Sequence, residues 1–178
     1  FDPALPDQAQ DDMLSTPTWM AGQAKALIHF EDPFWRDHTL SGQAFSRLGP
    51  LMEIHDASAS STGPYALFGF IGGSGQQRKD MGQEQLKAAI AQQIKRLYGS
   101  DSPPPLDIII KDWSQDQFTA TEEDMEPLQS HPTYGLPKSL SNLWEGRLSL
   151  IGTEVARSEG GYLEGALIAA EDALEKLN

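Results

Sequence analysis

The chain has 178 residues, no cysteine and a formal net charge of −13, and 39% of its residues are apolar. That composition is globular. It excludes disulfides and thiolate metal sites, and it argues against nucleic acid or an anionic membrane surface as a partner.

No apolar run approaches the roughly 18 residues needed to span a bilayer, so no membrane is expected. The absence of cysteine suits a cytoplasmic protein. Phe1-Asp2-Pro3 is not a natural start, so a preceding part is expected.

Residues 1–17 are polar and carry prolines, with one helical turn expected at Asp11–Ser15. Thr18–Phe30 alternates as a strand: Met20, Gly22, Ala24, Ala26 and Ile28 share one parity, and Lys25, Leu27 and His29 lie on the other. Lys25 is then a charge inside a largely apolar strand. It is either a snorkelling edge lysine or a lysine pointed into a site. Pro33 suits the first turn of a short helix, with Phe34 and Trp35 packed beneath it.

Ser46–Pro50 is a turn, and Leu51–His55 and Tyr65–Ile71 form an antiparallel pair across a polar loop rich in breakers. The GGSG at 72–75 lacks the context of a phosphate loop and reads as a turn. Glu84–Tyr98 is an amphipathic helix with Leu86, Ile90, Ile94, Leu97 and Tyr98 as its stripe, stopped by Gly99. Leu106–Trp113 is a buried β-branched strand. Thr119–Ser130 is an acidic loop, and Leu140–Trp144 one helical turn.

The closing stretch predicts a strand over Leu148–Ile151, a turn bearing Gly152, Gly160 and Gly161, and a helix from near Gly161. Leu163, Ala166, Leu167, Ala170, Leu174 and Leu177 give that helix one apolar face. A helix start has unpartnered N–H groups and favours negative charge. Without a Cβ at the glycines, a flat, electron-rich ligand edge can lie against the backbone there. Glycines that merely pack would give the same pattern.

The wording of three segments adds to this. GTE followed by GGYLEGA at 152–166, the lysine strand followed by DPFWR at 32–36, and KDW at 111–113 resemble the flavin-dependent amine oxidases, the monoamine oxidase-like family. The resemblance implies an α+β flavoenzyme fragment. Its sheet would be mixed and largely antiparallel, followed by the last strand and helix of an FAD-binding domain. Residues 1–112 would be substrate-binding domain and 113–178 FAD-binding domain.

The resemblance also implies roles. Lys25 would poise a water against flavin N5, and Trp113 would pack beside the isoalloxazine. Gly152, Thr153 and Glu154 would lie along the ribityl and phosphate region. Gly161, Tyr162 and Leu163 would face the pyrimidine edge, where reduced flavin carries negative charge. Tyr162 would be one wall of the slot that guides the amine.

Aligned through Tyr134, Ser130 and His131 stand where some relatives have a flavin-linked cysteine and a second cage tyrosine. FAD would therefore be non-covalent, and His131 would line the amine site in place of that tyrosine. Glu159 reads as a surface carboxylate. The G-x-G-x-x-G diphosphate fingerprint is absent, so the chain corresponds to the C-terminal part of a family member.

His29, His38, His55 and His131 have no metal-ligand spacing, and no metal is expected. The implied function is oxidation of a small amine to an imine with reduction of oxygen to peroxide. The chain alone would be inactive and would not bind FAD tightly. The alternative is a non-enzymatic homologue or partner-binding module. Apolar surface on the last strand and helix predicts self-association, as a dimer.

Overall fold

A computed structural model describes residues 1–37, 39–126, 128 and 130–177, with the side chain of Leu177 outside that description. The chain divides into two compact units, residues 20–128 and residues 1–19 with 129–178.

Residues 20–128 are built on a five-stranded sheet of order β2-β3-β4-β1-β5, all neighbours antiparallel. Its strands are β1 (Ala24–Phe30), β2 (Ala44–Phe45), β3 (Leu51–Asp56), β4 (Tyr65–Ile71) and β5 (Asp107–Asp112). The alternation expected in the first strand is present: Ala24, Ala26, Ile28 and Phe30 are buried, and Lys25, Leu27 and His29 are half-buried. The buried parity joins Leu51, Ile54, Leu67, Ile71 and Ile108 in one core with Leu86, Ile90 and Ile94. Those last three are the apolar stripe of α4 (Gln83–Tyr98). The mixed helical and antiparallel architecture is the α+β class expected.

The aromatic corner after β1 has a physical explanation. The short helix α2 (Phe34–Asp37) buries Phe34 and Trp35, which meet Phe30 edge-to-face. The Trp35 indole N–H and the Arg36 Nε both donate to Asp56 Oδ2, each at 2.8 Å. Burial pushes the Asp56 carboxyl up, but hydrogen bonds from Ser58, Trp35 and Arg36 together outweigh it and hold the pKa at about 2.

Several elements differ from expectation here. β2 is not foreseen in the sequence, and β5 is an edge strand in which Ile108 is buried but Ile109 is exposed, not a buried strand. β1 starts at Ala24 because residues 19–22 are turns, with Met20 at φ +68°. Residues 72–75 are not only a turn, because α3 (Gly75–Met81) starts there behind a complete capping box of Ser74 and Gln77. From α3, the buried Arg78 makes a two-bonded pair with Asp112 at 2.7 and 2.9 Å, and also donates to the carbonyls of Gly73 and Gly22. It fastens the entry of β1 to the exit of β5.

The other unit opens with α1 (Asp7–Leu14), longer than the single turn expected. Leu5 and Ala9 bury against Leu140 and Leu143. Short 3-10 turns follow at Lys138–Leu140, Trp144–Gly146 and Thr153–Val155, and then α5 (Leu163–Leu177).

The expected strand at 148–151 does not form. Its one trace is a bridge from Leu148 to Leu143, and Ile151 is exposed. An extended segment needs a neighbour for its N–H and C=O groups, and no strand of this unit supplies one among the described residues. The expected apolar face of α5 is turned out as well, because the helix packs through its small residues. Gly165 and Ala169 are buried, whereas Leu163, Leu167 and Leu174 are exposed. A side chain at Gly165 would strike the Glu159 carbonyl and Thr153.

Candidate active site

The candidate residues fall in both units. Lys25 and Trp113 belong to residues 20–128, and the others to the unit that contains α5.

Lys25 stands on the half-open face of the sheet. β1 pairs with β4 so that Lys25 is opposite Phe70 and Leu27 is opposite Phe68. The two phenyl rings meet edge-to-face at 5.0 Å, and the Lys25 ammonium lies over both, 5.2 Å from the Phe70 centroid and 5.7 Å from that of Phe68. The electron-rich ring faces attract the charge.

Its neighbour on the other side, across β5, is a second lysine, Lys111. Two like charges directly opposite repel. Lys111 is drawn aside, 2.6 Å from Asp116 and 4.3 Å from the centroid of Trp113. Among the described residues Lys25 has no carboxylate partner. A half-buried ammonium with aromatic partners only is able to hold a water or a polar group of a ligand. Trp113 follows β5 directly and is 39% exposed. Sequence reasoning did not single out the Phe68–Phe70 floor, although the parity of Tyr65–Ile71 opposite Lys25 carries it.

The second cluster is the glycine turn before α5. Thr153 Oγ1 accepts from the Gly161 N–H and donates to the Tyr162 carbonyl, both at 2.8 Å. This one hydroxyl pins the chain where it enters the helix. Gly161 has φ +85°, a conformation that favours glycine.

The space a Cβ would take there is not open to a ligand. At Gly161 it is 2.9 Å from His131 Nε2, and at Gly160 it is 2.6 Å from Tyr134 Cβ. The glycines thus admit the protein's own rings, which corrects the expectation that a flat ligand uses that space. His131 stacks on Tyr162 at 5.3 Å with 7° between planes, and Trp19 and Tyr134 pack against His131.

The Tyr134 hydroxyl donates to the Pro17 carbonyl and accepts from the Trp19 N–H. Burial pushes this phenol up, the Trp19 amide pulls it down, and the Glu154 charge adds to the rise. Tyr134 is therefore a neutral anchor for the residues before it. The Glu154 carbonyl accepts from the Gly135 N–H, and Gly152 precedes the Thr153–Val155 turn.

A flavin edge fits this helix start. Tyr162 is 55% and Leu163 89% exposed. The first N–H groups of a helix point outward with the positive end of its dipole; just before them, the Gly161 N–H is taken by Thr153 and the Tyr162 N–H by the Glu159 carbonyl. A diphosphate cradle is a different matter, because these residues contain no glycine-rich βα turn to form one. Among the described residues no group of three or more His, Asp or Glu stands close enough to hold a metal, and no helix is long and apolar enough to cross a membrane. His38 lies outside the described residues.

Comparison with known proteins adds a family. The model described as flavin containing amine oxidoreductase matches residues 1–175. The chain is 27% identical over 176 residues to a probable flavin-containing monoamine oxidase A of Dictyostelium discoideum, covering 94% of this chain and 36% of that protein. It is 25% identical to amine oxidase [flavin-containing] B of Sus scrofa, covering 99% of this chain and 34% of that one. Among solved structures, putrescine oxidase bound to putrescine superposes with a TM-score of 0.69 at 19% identity, over 98% of this chain and 38% of that one. Cyclohexylamine oxidase from Brevibacterium oxydans does so with 0.66 at 23% identity, over all of this chain and 40% of that one. The chain thus spans about 36% of the length of the first of these relatives.

Proposed function

This chain belongs to the flavin-containing amine oxidoreductase family, and from that membership we propose that it is the C-terminal part of an FAD-dependent amine oxidase. The family's cofactor is FAD. When bound, FAD takes a hydride equivalent from the amine C–N unit and passes the electrons to oxygen, so that the products are imine and peroxide.

The residues of this chain supply position and charge. Lys25 holds a water at the cofactor, because its ammonium sits on the Phe68–Phe70 floor with no carboxylate among the described residues to neutralise it. Trp113 packs against the flavin ring. Gly152, Thr153 and Glu154 line the ribityl side, and the backbone at Gly161, Tyr162 and Leu163 meets the pyrimidine edge, where the helix dipole favours negative charge. Tyr162 and the His131 ring stacked on it form the wall that orients the amine. On this reading residues 1–112 serve substrate and residues 113–178 serve FAD. A cytoplasmic setting, with neither nucleic acid nor membrane as partner, belongs to the same proposal.

The observation that carries the proposal is the lone ammonium of Lys25 on an aromatic face. The test uses the whole flavin-loaded protein that contains this chain. Primary amines produce peroxide, and Lys25→Met slows reoxidation of the reduced flavin by at least tenfold while the flavin stays bound. No peroxide from any of a panel of primary amines, or an unaltered reoxidation rate in Lys25→Met, overturns it.

A further inference from the structure

The face that carries Lys25 carries two carboxylates that the oxidase reading does not use: Asp107, opposite His29 at the far end of β5 and accepting from the Ile108 N–H, and Glu53. In register, Lys25 on β1 is opposite Phe70 on β4, which is opposite Glu53 on β3. The next row is Leu27, Phe68 and His55. Neighbouring strands lie about 4.8 Å apart, so Glu53 stands roughly 10 Å from Lys25 in the backbone, across the phenyl floor.

Its Oε1 is 2.6 Å from His55 Nε2, and its side chain is 40% exposed. His55 is held by Phe68, with ring centroids 6.4 Å apart and near-parallel planes, and by the edge of Phe45. The imidazole fixes the carboxylate through one oxygen and leaves the other for a ligand.

We propose that Glu53 is a specificity-determining residue that recognises a second cationic group on the substrate, so that this protein prefers diamines to monoamines. The inference rests on the amine oxidase reading above. A substrate lying on Phe68 and Phe70 with its reacting nitrogen near Lys25 runs its far end toward Glu53. An apolar end removes water from a carboxylate and gives nothing back, which is unfavourable. An ammonium at that end replaces the lost water with a charge-assisted hydrogen bond. The same carboxylate therefore penalises one class of amine and favours the other.

The probes are pentylamine and 1,5-diaminopentane, which share a carbon chain and differ by one ammonium. Rapid mixing with the flavin-loaded whole protein, without oxygen, gives for each a Kd and a limiting rate of flavin reduction. The diamine has a Kd at least tenfold lower, beyond the factor of two from its equivalent ends, and the advantage shrinks as salt is raised.

Glu53→Gln brings the ratio of the two Kd values to within about twofold, and Glu53→Asp restores part of it. The limiting rate for the diamine changes much less than its Kd, a split that general damage to the fold does not produce. A wild-type ratio near two, or a ratio that survives Glu53→Gln, overturns the inference while leaving the oxidase reading intact. Failure of both amines, and of the wider panel, to reduce the flavin overturns the oxidase reading itself.

Discussion

At the scale of single residues, the helix entry depends on Gly161. Its missing Cβ leaves room for the His131 ring, and its φ of +85° turns the chain so that Thr153 reaches both neighbouring peptide groups. An alanine there meets steric and backbone strain together. Gly161→Ala should destabilise this unit by about 1–3 kcal/mol, read by urea unfolding, and should break the His131–Tyr162 stack, read by loss of tyrosine NMR shifts induced by the imidazole.

Asp56 gives a pH test at the same scale. Its pKa is held at about 2, below the ordinary carboxylate range near 3.9. The corner's stabilisation is therefore fully present above about pH 4 and is lost as pH falls through about 2. Asp56→Asn should lower stability at pH 7 and flatten this acid limb, and thermal unfolding between pH 2 and 6 measures both.

At the scale of elements, the sequence was readable where a pattern had a partner to act on. β1 alternates because one face meets α4 and the other stays half open, so Lys25 could be assigned to its face from parity alone. The 148–151 stretch is as apolar as a buried strand, but apolarity does not supply the neighbouring strand that a ladder needs. The α5 leucines have the right spacing, yet the helix packs through Gly165 and Ala169 instead, because close approach to the Thr153–Val155 turn admits only small residues. α3 was hidden by its glycines, although Ser74 and Gln77 spell a capping box.

That hidden helix carries Arg78, whose partner Asp112 is pushed up by burial but pulled below the usual range by Arg78 and Ser114. Removing the guanidinium strands a largely buried carboxylate. Arg78→Met should cost about 3–5 kcal/mol, measured as a lower urea midpoint. Arg78→Lys should recover little, because an ammonium cannot make the two-bonded pair.

At the scale of the whole molecule, charge and apolar surface pull in opposite directions. The exposed leucines of α5 and Ile151 favour burial against another surface, at about 25 cal/mol for each Å² removed from water. The net charge of −13 opposes bringing two copies together. Screening weakens the repulsion over a Debye length of roughly 10 Å at 0.1 M salt but leaves the apolar term in place.

Self-association of the 178-residue chain should therefore strengthen as salt rises, the reverse of an interface held by ion pairs. Sedimentation equilibrium should show a mass above the monomer that grows between low and moderate salt. Leu167→Lys, in the middle of the stripe, should return it to the monomer by adding a desolvated charge to the contact. A single monomer at every salt concentration would show that the leucine stripe is too small to overcome the entropy of association. The same chain, mixed with FAD and desalted, should emerge colourless, because a helix start and one tryptophan grip only the ring and the diphosphate is left in water.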